Sequence, residues 1–193
     1  MFWLLAAILV AVLFFFFVWM LMIYTKLSKS YTPYKHAFLR LDAQLKRRYK
    51  LIPELVKTAT PYLMPQQTLL RQVSQARNQA AISEQETAAR PAAPEALERL
   101  QNAEHMLSGV LARFCSLLQA SAEAQADPKL QQLIAELHDI ESETELARKS
   151  LNQAGRQYNA SLQTFPNRFF ARFLGFNQAT LFGQESSVQE AKS

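Results

Sequence analysis

Few residues of this chain have the types and spacing that catalysis or metal binding requires. The chain contains three histidines in three separate segments, His36, His105 and His138, and none belongs to an E-x-x-H motif of the di-iron bundle type. His138 and Glu141 stand three residues apart, so one helical face could present both as metal ligands. Two such groups alone are more typical of a solvated helix face than of a metal site.

The cysteine, serine and glycine residues of the chain also form no recognisable catalytic or phosphate-binding motif. Cys115, the only cysteine, lies among Phe114, Leu117 and Leu118, which predicts a small buried side chain. A single cysteine can form neither an internal disulfide nor a cysteine-based zinc site. The four glycines form no G-x-G-x-x-G or G-K-[ST] phosphate loop, and no serine has a nucleophile-elbow context. The sequence therefore predicts a protein that is not an enzyme and uses no cofactor or metal.

The first element of the chain is an uncharged stretch from Met1 to Tyr24. A helix of this length is long enough to cross a hydrocarbon core of about 30 Å. No basic residue precedes Phe2 and no small-x-small cleavage site follows, which argues against a cleaved signal peptide. We therefore predict a retained transmembrane helix over residues 1–25.

Basic residues follow this stretch closely: Lys26, Lys29, Lys35, Arg40, Lys46, Arg47, Arg48 and Lys50. Only Asp42 opposes them, so the positive-inside rule predicts an N-terminus outside and the rest in the cytoplasm. Translocation of the soluble part is the minority alternative. The formal net charge of +5 favours binding to anionic lipid headgroups. Because the predicted anchor already explains the basic residues, we expect no nucleic-acid partner.

The remainder is predicted to be all-α, because apolar residues recur every three or four positions and glycines are scarce. Four long helices are expected over about 34–63, 66–87, from Pro94 onward, and over about 128–164. Pro53 predicts a kink in the first, and Asp127 followed by Pro128 is typical of a helix start. Short loops favour an antiparallel up-down-up-down bundle over residues 26–164.

Phenylalanines and arginines alternate in the segment 165–182, and a polar, disordered tail is predicted over 183–193. If the first helix leaves the membrane, the last returns to it, so this segment could lie at the lipid interface. The rings could instead cover the bundle core or a neighbouring subunit. The predicted membrane-interface residues are Lys26, Lys29, Phe165, Arg168, Phe169, Phe170, Arg172, Phe173 and Phe176.

The stretch from Asp42 to Val56, DAQLKRRYKLIPELV, resembles the signature of the LemA family, D-x-Q-L-x-R-R-x-x-L-I-P-x-L-V. The similarity extends to Leu174-Gly175-Phe176, and Leu151 departs from it where the family usually has tyrosine. The resemblance implies a bacterial inner-membrane protein with one transmembrane helix and a bundle of long antiparallel helices. It implies no defined activity.

Polar residues of this signature stand beside the apolar seams: Gln44, Arg47, Arg48, Arg77, Glu141, Arg148, Asn152 and Asn159. Since buried polar groups must satisfy one another, we predict an inter-helix network that joins Arg47 or Arg48 to Glu141. Such pairs often fix helix register rather than add stability. A site for a ligand or a lipid headgroup is the alternative.

Two functions remain. The first is a self-associating scaffold, a homo-oligomer that organises or remodels the membrane. The second is a monomeric cytoplasmic adaptor or signalling module that recruits another protein, most simply by helix-in-groove pairing.

Overall fold

The fold is given by a computed structural model that describes residues 2–90, 93–164 and 178–183, without the side chains of 2, 4–8, 12, 23, 26 and 27. Every secondary-structure element in these ranges is a helix. The elements are α1 (Phe2–Ala59), a 3-10 helix (Thr60–Gln66), α2 (Gln67–Ala89), α3 (Pro94–Ala120), α4 (Ala122–Gln125) and α5 (Pro128–Gln163). The all-α prediction is confirmed.

Helix α1 is continuous over 58 residues, so the predicted anchor and the first bundle helix are one element. It passes through Pro33 and Pro53, and it ends at Ala59, four residues earlier than the apolar pattern indicated. Pro61 and Pro65 then form the 3-10 turn. Within the described residues, no helix combines the length and the hydropathy needed to cross a membrane.

The long helices form an antiparallel bundle. Side chains of α1 and α5 meet in reverse order along the chain, with Glu54 beside Lys129, Arg47 beside Glu143 and Arg40 beside Ser150. Helix α2 packs against both α1 and α3. Helices α3 and α5 are not closely packed in the described part of the chain, and polar side chains bridge the space between them.

Apolar side chains at helical spacing fill the interior. On α1, Leu41, Leu45 and Ile52 are almost completely buried, which agrees with the stripe in the sequence. Asp127 caps α5 by accepting hydrogen bonds from the backbone N–H groups of Lys129 and Leu130, at 2.9 and 3.3 Å. The predicted start of this helix is thereby confirmed.

A tyrosine cluster closes the opposite end of the bundle. The Tyr158 ring on α5 lies 5.4 Å from the ring of Tyr31 and 6.4 Å from that of Tyr34, both on α1. The end of α5 therefore lies beside the point where α1 enters the bundle. The part of α1 before this cluster extends beyond the bundle, and its described side chains are mostly exposed.

Candidate functional site

Glu104 of α3 is the centre of a buried ion network. Its Oε2 atom accepts hydrogen bonds from Arg48 Nη1 at 2.8 Å and from Arg148 Nη2 at 3.1 Å. Its Oε1 atom accepts one from the hydroxyl of Tyr49 at 2.6 Å. Glu104 is 1 % exposed, so these three donors replace the water that the carboxylate loses. One side chain thus connects α1, α3 and α5.

Arg48 extends the network towards a second carboxylate. Its Nη2 atom donates to Ser108 Oγ at 3.0 Å and to Glu141 Oε1 at 3.2 Å. The two guanidinium groups of Arg48 and Arg148 therefore face the two carboxylates of Glu104 and Glu141, and the formal charges balance. Charge balance and hydrogen bonding are the conditions under which buried ions are tolerated.

Tyr49 and Arg77 join α2 to the same region. Pro53 has no N–H, so the Tyr49 carbonyl lacks its usual donor within α1. Arg77 Nε of α2 donates to this carbonyl at 2.8 Å. Burial raises the pKa of the Tyr49 hydroxyl, and the charge of Glu104 adds to the rise. Tyr49 thus contacts α2 through its main chain and α3 through its side chain.

A cleft of about 460 Å³ opens between α3 and α5 beside the network. Arg48, Arg148, Glu141, His138 and Cys115 are among the residues that line it. Burial raises the pKa of the Cys115 thiol to about 11, so the thiol is protonated at neutral pH and is a weak nucleophile. In the described ranges, no group of three or more potential metal ligands is assembled.

A second, smaller cluster joins α1 to α2. Lys46 Nζ lies 2.8 Å from Asp42 Oδ2 and 3.4 Å from Glu84 Oε1. The Asp42 side chain is 11 % exposed and that of Glu84 is 3 % exposed, and a single ammonium group contacts both carboxylates. Burial, and then the neighbouring Asp42, raise the pKa of Glu84 to about 7. Glu84 therefore retains its proton up to near-neutral pH.

The two asparagines of α5 hold the chain that returns from its end. Asn152 donates to the Phe182 carbonyl at 2.7 Å and accepts from the Phe182 N–H at 2.6 Å. Asn159 forms the same pair of bonds with Ala179, both at 2.8 Å. We call residues 178–183 the strap. It runs antiparallel to α5.

Comparison with known families supports the resemblance read from the sequence. The profile of the LemA family matches residues 37–193, which is most of the chain. The chain belongs to the LemA family. No curated protein matches it significantly.

The LemA signature residues fall into distinct environments. Arg48, Glu141 and Arg148 meet in the network around Glu104, where Arg48 is buried and the other two are partly exposed. Arg77 donates to the Tyr49 carbonyl of α1, and Asn152 and Asn159 hold the strap. Arg47 instead points outward, where it contacts Glu143 at 3.1 Å and Gln44 at 3.5 Å. Of the two arginines considered as partners of Glu141, the structure pairs Arg48 with it.

The residues predicted to lie at the membrane interface are not part of the network around Glu104. Lys29 is exposed, and the side chain of Lys26 is outside the described set. The described residues also exclude the predicted interfacial group: Phe165, Arg168, Phe169, Phe170, Arg172, Phe173 and Phe176.

Glu104 was not among the residues predicted to form the polar network, although the sequence pattern around it indicated a buried carboxylate. The apolar spacing of α3 runs through Leu100, Glu104 and Leu107, so a carboxylate occupies a core position. A buried carboxylate requires cationic partners, and Arg48 and Arg148 were available. The burial of Glu84 was harder to predict, because α2 has only a narrow apolar stripe and its buried positions are not clearly marked by the sequence.

Proposed function

We propose that this LemA-family chain is a non-catalytic, membrane-anchored scaffold that self-associates at the bacterial inner membrane. The observation that carries the proposal is the exposed aromatic surface on the first half of α1. Phe14 is 69 % exposed and Phe15 75 %, and Trp3, Phe17 and Met22 are similarly open. Apolar surface on this scale is typical of contact with lipid or protein.

The sequence supports a lipid environment for this surface. Residues 1–24 carry no charged side chain, including those positions whose side chains are not described. At 1.5 Å per residue they extend about 36 Å, which exceeds the hydrocarbon thickness of about 30 Å. The family is generally membrane-associated. In this proposal, α1 begins in the bilayer and continues into the bundle without a flexible joint.

The basic residues that follow the apolar part favour an N-terminus outside and a cytoplasmic bundle. Anionic headgroups would then neutralise the exposed lysines such as Lys29. The continuous helix transmits the orientation of the anchor to the bundle. Copies that associate through their anchors would therefore hold their bundles at a defined angle, which is what a scaffold requires.

A second candidate function is a monomeric adaptor that recruits another protein. It is favoured by a groove of about 630 Å³ between α2 and α3, lined by Gln72, Gln79, Asn102 and Met106. Met106 is 64 % exposed there, and Ile82 on α2 is also open. An amphipathic helix of a partner could pack into such a groove.

The mass of the full-length chain in mild detergent, compared with a variant that begins at Ser28, separates the two functions. A scaffold held together by its anchors predicts a discrete oligomer for the full-length chain and a monomer for the shortened one. A monomer in both cases would overturn the scaffold and favour the adaptor. Recovery of the full-length chain in the soluble fraction of cells would overturn the membrane anchor itself.

A further inference from the structure

We propose that the cleft between α3 and α5 binds a small soluble organic carboxylate, which takes the place of the Glu141 carboxylate beside Arg48. The volume of about 460 Å³ lies within the range of small-molecule sites, and the walls combine polar with apolar side chains. The inference does not depend on self-association, because all the residues it uses belong to one bundle.

One edge of the Arg48 guanidinium is incompletely paired. Its Nη1 atom donates to the buried Glu104 at 2.8 Å. Its Nη2 atom donates to Ser108 and Glu141, and both of these residues line the cleft. The Nε atom, on the same edge as Nη2, is buried and donates to no acceptor in the part of the chain that the structure describes. Two neighbouring N–H groups of a guanidinium can bind both oxygens of one carboxylate, whereas Glu141 contacts Arg48 through a single oxygen.

Glu141 is the member of the network that a ligand could displace. Its bond to Arg48 Nη2, at 3.2 Å, is the longest of the hydrogen bonds described around Arg48 and Glu104. The side chain of Glu141 is 39 % exposed, whereas that of Glu104 is 1 % exposed. If Glu141 turns outward, its carboxylate regains water, so the exchange avoids the cost of leaving a buried charge unpaired.

The charge of the network selects a ligand with one carboxylate. Arg48 and Arg148 are balanced by Glu104 and Glu141, so a carboxylate that replaces Glu141 keeps the charges equal. A neutral ligand would leave a guanidinium without its second anion, and a dianion would add an unpaired negative charge. Leu111 lines the same cleft and provides apolar contact for the rest of the ligand.

The position of the cleft favours a soluble ligand over a lipid headgroup. The tyrosine cluster marks the end of the bundle where the exposed apolar part of α1 begins. From Tyr34 in that cluster to Arg48, α1 rises about 21 Å. The cleft therefore lies well away from the end of the bundle that the proposed anchor would hold at the bilayer.

Benzoate and benzamide form a matched pair of probes, because they share a ring and differ in the charge of the head group. Saturation-transfer NMR of each probe with the full-length protein in mild detergent measures binding directly. Cys115, the only cysteine, lines the cleft, so its alkylation by N-ethylmaleimide reports where the probe binds. We expect benzoate at ten times its Kd to slow alkylation about tenfold, and benzamide to have no effect.

Glu141→Gln separates exchange at Arg48 from other modes of binding. The variant removes the competing carboxylate, so benzoate should bind about tenfold more tightly, because binding no longer breaks a charged hydrogen bond. Glu143→Gln, at an exposed position of α5, is the control and should leave the Kd unchanged. A substitution that merely disturbed the bundle would weaken binding rather than strengthen it.

A substitution at the surface of the cleft removes the site without touching the ion network. Arg48→Met would leave Glu104 short of a partner and endanger folding, so Ala112→Trp, at an exposed position that lines the cleft, is used instead. We expect it to abolish benzoate binding, and Ala120→Trp, at an exposed position of α3 outside the cleft, to preserve it.

Three results would overturn the carboxylate site. Equal binding of benzoate and benzamide, or of neither, would show that the cleft does not recognise a carboxylate. An unchanged or weaker affinity in Glu141→Gln would exclude exchange with Glu141. Binding that survives Ala112→Trp would place the probe elsewhere. The oligomeric mass of the protein has no bearing on any of these results, so the scaffold and the carboxylate site can fail separately.

Discussion

At the scale of single residues, Glu104 balances the charge of the buried Arg48 and of the partly buried Arg148. Both Arg48 and Arg148 donate to the same oxygen of Glu104, and Arg48 is 2 % exposed. Removal of one charge from such a cluster leaves an uncompensated buried ion, which typically costs about 3–5 kcal/mol. This cost exceeds the net contribution of the hydrogen bonds themselves, because the buried Arg48 guanidinium would lose a charged partner without regaining water.

We expect Glu104→Gln to lower the free energy of unfolding by about 3–5 kcal/mol, which corresponds to a fall of about 10 °C in Tm. Thermal unfolding followed by circular dichroism in mild detergent measures the change. Glu98→Gln, at an exposed position of the same helix, is the control and should change stability by less than about 0.5 kcal/mol. Equal effects of the two substitutions would show that the network adds nothing.

Glu84 makes the stability of the α1–α2 contact depend on pH. Its folded-state pKa of about 7 lies above the ordinary value of 4.5, so the folded chain binds the proton more tightly than the unfolded chain. The resulting stabilisation is complete below pH 4.5 and is lost as the pH rises to about 7. Since one pKa unit corresponds to about 1.4 kcal/mol, the rise from 4.5 to about 7 corresponds to a loss of about 3 kcal/mol.

Glu84→Gln keeps a neutral side chain at every pH and should remove this contribution to the pH dependence. The difference in unfolding free energy between wild type and variant, measured from pH 4.5 to 8, isolates Glu84 from the other ionisable groups, which are the same in both proteins. We expect the variant to gain stability relative to wild type as the pH rises. A difference that does not change with pH would contradict a raised pKa.

At the scale of elements, Pro53 and Arg77 form a pair across two helices. Pro53 deprives the Tyr49 carbonyl of its donor within α1, and Arg77 Nε supplies one from α2. A proline that is costly in an isolated helix thus creates an acceptor that fixes the position of a neighbour. The bond also holds Tyr49 at the point where its hydroxyl reaches Glu104.

We expect Arg77→Met to destabilise the wild type by about 1–3 kcal/mol, because it leaves this carbonyl without a donor. In the Pro53→Ala background, α1 supplies its own N–H, and the same substitution should cost about 1 kcal/mol less. Urea unfolding of the four proteins gives the coupling. Arg71→Met, at an exposed position of α2, controls for the loss of a surface charge. Additive effects would show that Arg77 acts independently of Pro53.

The helices were predictable because each one buries a stripe with regular spacing and begins or ends at a proline or a cap. Leu133, Leu137 and Ile140 lie in the core as their spacing indicated. The continuity of α1 was not predictable, since the change from apolar to basic composition near Lys26 suggested two elements. Backbone hydrogen bonds in a helix do not depend on whether the side chains are apolar or basic, so the helix can continue across this change.

At the scale of the whole molecule, the sequence did not predict which side chains the polar residues contact. Arg47 and Arg48 are adjacent, yet only the helix rotation decides that Arg48 faces Glu141 and Arg47 faces solvent. The role of Asn152 and Asn159 depends on a strap distant in sequence. Periodicity identifies which face of a helix is buried, but not which helix it meets.

If α1 is anchored in a membrane as proposed, the arrangement of the whole molecule predicts which end of the bundle faces the lipid. The tyrosine cluster marks the end where α1 enters and α5 finishes, and the 3-10 helix lies at the other end. From Ser28 to Ala59, α1 rises about 48 Å, which is longer than a headgroup layer is thick. An upright bundle on an anchored α1 therefore places Gln163 near the bilayer and Met64 far from it.

We expect a fluorophore on Gln163→Cys to be quenched by lipids that carry a nitroxide near the headgroup, and one on Met64→Cys to be unaffected. Both variants carry Cys115→Ser, and both positions are exposed, so differences in burial do not account for the contrast. Protein in detergent without nitroxide lipid gives the reference intensity. Equal quenching at the two positions would show a bundle lying flat on the membrane, and quenching at neither would separate the bundle from the bilayer altogether.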